Sequence, residues 1–177
     1  WGVRSSELLA LKWESVALER GTIAVVTGLH QLAGKGLVLL PTKTQRSRRQ
    51  VVITAEVVDV LRKIQGTQLV RKLELGDAWN DEGMIFTRPD GRPLLPSTVT
   101  KAFRRIANKA GLQGVRLHDL RHTHASLMLQ AGVHPKIVSE RLGHASVNIT
   151  LDTYSHVLPG LQEDAAGKFS EMISKSR

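Results

Sequence analysis

The sequence predicts an α+β domain that is mostly α-helical and carries a small three-stranded antiparallel sheet near its N-terminus. Between Gly21 and Thr54, β-branched and aliphatic residues cluster in three short runs, at 22–26, 37–40 and 51–53, with glycine-rich or charged breaks between them. From residue 55 onward, apolar residues recur mainly at the three- and four-residue steps of amphipathic helices. The chain is therefore predicted to be rich in helix, with one small sheet near its start.

Local signals place the individual helices. A serine oxygen can accept hydrogen bonds from the first amide groups of a helix, so Ser5 or Ser6 is predicted to cap a short helix that runs through Leu11. A long helix is predicted over about 55–75 and a short strand at 84–86, and Ser97 is predicted to cap a helix that ends at about Ala110. The remaining helices are predicted over residues 118–131, 135–142, 147–156 (behind a cap at Ser146) and 161–173.

Composition narrows the class of protein. The chain has 177 residues, enough for one domain with a hydrophobic core, and its 25 Lys and Arg residues exceed its 16 Asp and Glu residues, for a formal net charge of +9. This excess favours a polyanionic partner, and nucleic acid is the leading one. An anionic membrane surface would attract the same charge, but no apolar run approaches the length that spans a bilayer, and no signal-peptide pattern opens the sequence. The lack of cysteine excludes disulfides and thiolate metal sites and suits a reducing cytoplasm.

Two segments concentrate the positive charge. The break between the second and third predicted strands is predicted to form a hairpin tip, which carries Lys43, Arg46, Arg48 and Arg49. The helix after Ser97 is predicted to have an apolar stripe of Phe103, Ile106, Ala107 and Ala110 and an opposite basic face of Lys101, Arg104, Arg105 and Lys109. The arginines of the tip and the basic helix face are predicted to contact DNA, with ordinary solvation of the helix face as the alternative.

Four residues have side chains and spacing suited to chemistry. His118 and Arg121 lie three positions apart on one predicted helix, so their side chains share a face and can converge on one anion. His144 directly follows the glycine that ends the helix over 135–142, and Tyr154 is the only tyrosine in the chain. The alternative for Tyr154 is a packing role in the core, because it shares a helical face with Val147 and Leu151.

Four segments together resemble the motifs of the tyrosine recombinase (phage integrase) family. They read G-V-R-S-S-E-L-L-A-L-K-W at 2–13, P-T-K-T-Q-R-S-R-R at 41–49, L-H-D-L-R-H-T-H-A at 117–125 and L-G-H-A-S-V-N-I-T-L-D-T-Y at 142–154. Their order and spacing are similar to those of the family, and they cover nearly the whole chain. The resemblance implies the catalytic-domain fold of that family and an enzyme that cuts and rejoins DNA through a covalent bond between a tyrosine and a backbone phosphate.

The resemblance also implies a role for each matched residue. Arg4 and Arg121 match the two arginines that clamp the phosphate, and guanidinium groups held in place stabilise the negative charge that builds on its non-bridging oxygens. Tyr154 matches the nucleophile. A phenol has a reference pKa of about 10 and must lose its proton during attack, and His118, which matches the histidine between the two arginines, is predicted to be the base.

The remaining matches support this centre. Lys43 falls where the family places its catalytic lysine and is predicted to protonate the leaving 5′ hydroxyl, with Lys35 and the neighbouring arginines as alternatives. His144 matches a position that the family fills with His or Trp, and Glu7 matches an often acidic position to which we assign a supporting role. Rejoining would reverse the same steps from a 3′-phosphotyrosine, so the sequence predicts no cofactor, no metal and no need for ATP.

The same resemblance sets expectations for domains and partners. Residues 1–177 are expected to form the catalytic domain, as a fragment that lacks the preceding core-binding domain. The expected partners are double-stranded DNA in the bacterial cytoplasm, without a membrane, and further copies of the chain in a tetramer that integrates or excises a mobile element. The last helix is expected to pack either on its own domain or on a neighbouring subunit, through an apolar face of Leu161, Ala165, Phe169 and Met172.

Three other functions remain open to the sequence. His118 and His122 have the four-residue spacing of metal ligands on a helix, with His124 nearby, which is typical of a metal-dependent nuclease or hydrolase. That class would also need oxygen ligands, and no cluster of Asp and Glu supplies them. A DNA-binding protein without chemistry would share the basic composition, and a type IB topoisomerase would share the chemistry.

Overall fold

The computed structural model describes residues 2–42, 47–155 and 161–174, although the side chains of 161–165 and 168 lie outside this description. In chain order the described strands are β1 (Val16–Ala17), β2 (Thr22–Val25), β3 (Thr27–Leu32), β4 (Gly36–Pro41) and β5 (Arg49–Val52). The described helices are α1 (Ser5–Leu9), α2 (Ala55–Leu75), α3 (Pro96–Lys109), α4 (Asp119–Gln130), α5 (Pro135–Leu142), α6 (Val147–Tyr154) and α7 (Leu161–Ser174), with short 3₁₀ turns at Trp13–Ser15 and Gly76–Ala78. The mostly helical fold with a small antiparallel sheet is confirmed.

The sheet differs from the prediction in which strands pair. A three-stranded antiparallel sheet has the order β1-β2-β5, and a separate antiparallel hairpin pairs β3 with β4. The second of the three predicted strands, at 37–40, pairs instead with 27–32 in the hairpin. The tight turn between these strands is possible because Gly34 and Gly36 adopt positive φ angles of 72° and 73°. The predicted hairpin between the second and third strands is therefore wrong, because β4 and β5 belong to different sheets.

The three-stranded sheet packs against α2 to form the first hydrophobic core. Along β2 the side chains of Ile23 and Val25 are buried, and Val51 on β5 joins them. The helix contributes Val58 and Leu61, which share a face because they are three residues apart. Alternation on the strands and helical spacing on α2 thus meet in one core, as both patterns indicate.

Of the three predicted serine caps, those of α1 and α3 are wrong and that of α6 is confirmed. No serine caps α1: the side chain of Glu7 accepts a hydrogen bond from the backbone nitrogen of Arg4 at 2.8 Å. Likewise α3 begins at Pro96, which suits a first helical position, so that Ser97 lies inside the helix. The predicted cap of α6 is confirmed, since the hydroxyl of Ser146 accepts from the backbone nitrogen of Asn148 at 3.1 Å.

A second hydrophobic core joins α4, α5 and α6, and it is the one that positions the candidate site. Its buried members are Ala125, Leu129, Val138, Leu142 and Tyr154. On α6 the buried neighbour of Tyr154 is Thr150, at 0% exposure, whereas Leu151, predicted to share its face, is 39% exposed. Gly143 ends α5 in a left-handed conformation, with φ of 68°, and turns the chain toward α6.

Two predicted apolar faces are less buried than their patterns indicate. On α3, Ala107 is 4% exposed, but Ile106 is 63% exposed. On α7, Phe169 and Met172 are 62% and 64% exposed, and the side chains of Leu161 and Ala165 lie outside the described residues. Across the described ranges, none of the helices is both long enough and apolar enough to cross a membrane.

Candidate active site

Arg121 ties three parts of the chain together at the candidate site. It lies in the first turn of α4 and is only 5% exposed. Its guanidinium donates one hydrogen bond through Nη1 to the carbonyl oxygen of Gly2 and another through Nη2 to the carbonyl oxygen of Leu142, at 2.7 Å. Gly2 precedes α1 and Leu142 ends α5, so the buried cation holds both segments against α4.

Arg4 reaches the same site from the start of α1, where Glu7 holds it. Nη1 of Arg4 donates to Oε1 of Glu7 at 2.8 Å, and Nη2 of Arg49, from β5, donates to Oε2 at 2.9 Å. Burial raises the pKa of Glu7, but the hydrogen bonds from Arg49 and Arg4 outweigh that effect, so the pKa is lowered overall. Glu7 is therefore an ionised carboxylate at neutral pH that bridges two arginines.

Arg49 was predicted to contact DNA, but its side chain lies in the interior of the structure. Its side chain is 7% exposed, and its Nε donates to the carbonyl oxygen of Arg141, at the end of α5, at 2.7 Å. Arg49, on β5, thus contacts α1 through its ion pair with Glu7 and α5 through its hydrogen bond to Arg141. The neighbouring Arg48 is exposed, as a DNA contact requires, and Arg46 lies outside the described residues.

Lys43 also lies outside the described residues, but the positions on either side of it are informative. Thr42 and Ser47 line a cavity of about 390 Å³ together with Arg4 and Glu7. Thr42 and Ser47, the described residues on either side of this segment, thus line the same cavity as Arg4. The alternative, Lys35, lies in the exposed turn between β3 and β4.

His144 follows the left-handed Gly143 and is held by α6. Its Nδ1 lies 2.8 Å from the hydroxyl oxygen of Thr150. Burial, followed by the positive charges of Arg121 and Arg4, lowers the pKa of His144 to about 4. His144 is consequently a neutral imidazole at physiological pH, and the charges of both arginines favour this neutral form.

Tyr154 combines the packing role and the polar role that the sequence left as alternatives. Its ring belongs to the second core and the residue is 3% exposed, while its hydroxyl oxygen lies 2.8 Å from Nδ1 of His122. His118, the predicted base, precedes α4 as its N-cap residue and meets His122 edge to face, with ring centroids 5.1 Å apart. Burial and the charges of His122 and Arg121 lower the pKa of His118.

Positive charge converges on this site. Burial and then the charges of Arg4 and Arg49 lower the pKa of Arg121 to about 10, although Glu7 and Tyr154 act in the opposite direction. Burial raises the pKa of the Tyr154 phenol, and the charge of Arg121 opposes this shift. Cations that repel one another are stabilised when an anion binds between them, so the site is suited to a phosphate group.

The described residues contain no set of metal ligands of the kind that a metal-dependent nuclease or hydrolase needs. Over residues 2–42, 47–155 and 161–174, no three side chains of His, Asp or Glu are grouped so that they could hold a metal ion. His118 and His122 meet each other, whereas Arg141 donates a hydrogen bond to Nε2 of His124 at 3.1 Å. The histidines of α4 therefore have partners of other kinds.

The sequence reasoning missed the contacts that orient the predicted residues. His122 is one helical turn after His118, a spacing that was interpreted only as a metal motif. Thr150 is one turn before Tyr154, so its place on the buried face of α6 could have been found from helical spacing. No signal in the sequence pairs Arg49 with Glu7. On α3 the four basic residues predicted to contact DNA are all exposed: Lys101, Arg104, Arg105 and Lys109.

Comparison with known proteins shows the family of this chain. A model of the phage integrase family matches residues 1–160, and the chain belongs to the phage integrase family. The chain is 31% identical to a protein described as "Tyrosine recombinase XerC-like" from Caldanaerobacter subterraneus subsp. tengcongensis, over 97% of this chain and 47% of that protein. The chain therefore spans about half the length of this relative.

Solved structures share the fold. An integrase of the Tn1549 transposon, solved with a circular intermediate DNA, superposes with a TM-score of 0.76 at 21% identity and covers 97% of this chain and 55% of its own. The site-specific recombinase XerH, solved in a post-cleavage complex with a palindromic difH substrate, gives a TM-score of 0.61 at 26% identity over 96% of this chain and 42% of its own. The predicted recombinase catalytic-domain fold is confirmed.

Proposed function

We propose that this chain cleaves and rejoins DNA as the catalytic domain of a site-specific recombinase, through a 3′-phosphotyrosine at Tyr154, for integration or excision of a mobile element. One observation carries the proposal: the hydroxyl of the only tyrosine of the chain lies 2.8 Å from Nδ1 of His122, the residue that follows the buried Arg121 on α4. The family relationship supports the same chemistry, because the matched region includes every one of these residues.

The proposed division of labour follows from how each group is held. Arg4, whose side chain is 40% exposed, and the buried Arg121 are the donors for the non-bridging oxygens. Preorganised donors of this kind lower the barrier because they need not reorient as charge develops. His144, neutral and anchored by Thr150, is a third donor when its proton is on Nε2. Lys43, in the segment between Thr42 and Ser47, is the acid for the leaving 5′ oxygen.

The reaction conserves the energy of the phosphodiester. Attack by the Tyr154 oxygen on phosphorus breaks the bond to the 5′ oxygen, and the phosphotyrosine retains an ester of similar energy. The 5′ hydroxyl of the same or another strand then attacks the phosphotyrosine and restores the tyrosine. We therefore propose that the reaction needs no ATP. We propose that it also needs no metal ion.

Double-stranded DNA is the proposed partner, since XerH and the Tn1549 integrase were both solved with DNA. The exposed basic side chains of α3, with Arg48, are proposed to bind backbone phosphates. We propose further that residues 1–177 form a catalytic domain that acts within a tetramer in the bacterial cytoplasm. The exposure of Phe169, Met172 and Ile173 on α7, at 62%, 64% and 50%, supports packing of this helix on a neighbouring subunit.

Covalent trapping tests the proposal. The protein is incubated with a nicked suicide substrate that carries its recombination site, in EDTA, and DNA adducts that survive SDS are mapped. We expect an adduct at Tyr154 that disappears in Tyr154→Phe and persists in the matched control His134→Asn, at the exposed start of α5. Binding to the site without any adduct would leave a DNA-binding protein on a recombinase fold and overturn the proposal.

A further inference from the structure

The hydroxyl of Tyr154 and the imidazole of His122 form the closest polar contact of the proposed nucleophile. The hydroxyl oxygen lies 2.8 Å from Nδ1 of His122, and the two ring centroids are 5.8 Å apart. Tyr154 is 3% exposed, whereas His122 belongs to the exposed residues of α4. His122 thus contacts the buried hydroxyl and is itself exposed, so a positive charge formed on its imidazole would be stabilised by solvent.

His118 has a different position. Within the described residues it makes no hydrogen bond with Tyr154, and its ring instead meets that of His122 at an interplanar angle of 81°. His118 is exposed and precedes the first turn of α4, next to the start of a helix, where an approaching phosphate is favoured. Its place suits contact with the DNA backbone better than removal of a proton from the phenol.

We propose that His122, one position after the phosphate-clamping Arg121, is the base that accepts the phenolic proton of Tyr154. The inference rests on the proposed function, and it assigns to His122 the role of base that was predicted for His118. His118 then acts on the phosphate and keeps the imidazole of His122 in place through their edge-to-face contact.

The proton and electron balance of the step is complete. In the starting state the neutral His122 carries its proton on Nε2, and Nδ1 accepts the hydrogen bond that the Tyr154 hydroxyl donates. As the Tyr154 oxygen forms its bond to phosphorus, its proton moves to Nδ1 and the bond from phosphorus to the 5′ oxygen breaks. The 5′ oxygen takes a proton from Lys43, and His122 is left as a cation until rejoining returns the proton to Tyr154.

Several charged and titratable groups act on His122. On its own helix these are His118 and Asp119, and from the neighbouring elements they are Tyr154 on α6 and His144 after α5. Asp119 is the anion of this set. Its carboxylate accepts hydrogen bonds from the backbone and the side chain of Arg116, so Arg116 is its partner at the start of α4.

Single-turnover cleavage of the suicide substrate by the whole protein tests the assignment. His122→Asn keeps a polar atom near the position of Nδ1 but is not basic, and we expect cleavage near pH 7 to slow by about 100-fold or more. The deficit should shrink by roughly tenfold for each unit of pH above neutrality, because the phenolate fraction of the variant rises while the wild type already has its base. His118→Asn should be slower than wild type by a factor that does not change with pH, and His134→Asn should match wild type.

A second substrate separates the base from the acid. When sulfur replaces the bridging 5′ oxygen, the leaving thiolate needs no proton, since a thiol has a reference pKa of about 8.5. On this substrate Lys43→Ala should recover, and His122→Asn should stay as slow as before relative to wild type.

The outcomes are distinguishable. If the wild type forms no adduct, the proposed function fails and the inference with it. If the wild type reacts but His122→Asn stays within about threefold of its rate, loses a factor independent of pH, or recovers on the sulfur substrate, the assignment of His122 as base is overturned while the recombinase proposal stands.

Discussion

Glu7 and Arg49 form a buried ion pair that holds Arg4 and the end of α5 in place beside the candidate site. Nη2 of Arg49 lies 2.9 Å from Oε2 of Glu7, and the two side chains are 7% and 4% exposed. The same carboxylate holds Arg4, and the same guanidinium holds the carbonyl of Arg141. The direction of the Arg4 side chain therefore depends, through Glu7, on Arg49, which lies on β5 and is far from Arg4 in the sequence.

Loss of Arg49 should destabilise the fold. Arg49→Met leaves a buried carboxylate with Arg4 as its one remaining arginine, and breaking a buried pair of this kind costs about 3–5 kcal/mol. We expect the free energy of unfolding in urea to fall by about 3 kcal/mol. The matched control is Arg48→Met, at an exposed position on the same segment, and an equal effect of the two substitutions would show that the pair with Glu7 has no special weight.

Gly143 tests how closely Arg49 approaches the turn after α5. A methyl group at Gly143 would lie 2.8 Å from Nη1 and 3.1 Å from Cζ of Arg49, at a φ of 68°. Gly111 has a similar φ of 76° with no atom within 4 Å of such a methyl group. Gly111→Ala should cost about 1–2 kcal/mol for the left-handed conformation alone. Gly143→Ala should lower the urea midpoint further and slow adduct formation, and indistinguishable midpoints would contradict the packing described.

Arg4 and Arg121, the two arginines proposed to bind the phosphate, should respond differently to replacement by lysine. Arg121→Lys removes a fork that satisfies two backbone carbonyls, so we expect a loss of about 2 kcal/mol in unfolding free energy and slower cleavage. Arg4 is 40% exposed, so Arg4→Lys should cost less than about 1 kcal/mol yet slow cleavage by about 100-fold. Paired measurements of unfolding and adduct formation separate the two cases, and similar stability losses would be the contrary result.

Two half-buried histidines, His124 and His144, should make the fold sensitive to acid. Burial and the charge of nearby Arg141 lower the pKa of His124 to about 4, and burial with the charges of Arg121 and Arg4 does the same for His144. An unfolded histidine titrates near 6.5, so between about pH 6.5 and 4 the unfolded chain binds protons that the folded chain does not. Stability should fall as the pH drops through this window. Urea unfolding at several pH values in this window should show that the unfolding free energy of His124→Gln, whose side-chain oxygen can still accept from Arg141, depends less steeply on pH than that of the wild type. An unchanged pH dependence would argue against a neutral, half-buried His124.

Much of the fold could be predicted from local patterns. The bounds of α2 and α5 follow from helical spacing and from the glycine after α5, because both signals act within a few residues. The pairing of the strands could not, since the run at 37–40 is compatible with either sheet and the choice depends on a hairpin turn at Gly34 and Gly36. The capping of α1 by Glu7 was missed because that carboxylate is held in place by Arg49, from a distant strand.

The sequence by itself determined which residue types are present for the chemistry: the arginines, histidines and single tyrosine in an order that resembles a known family. Only the tertiary structure decided what each side chain touches. It buried Arg49 against Glu7 and placed the hydroxyl of Tyr154 on His122 and not on His118. The physical reason is that the periodicity of a helix specifies a face, whereas the partner on that face comes from the packing of α4 against α6 in a shared core.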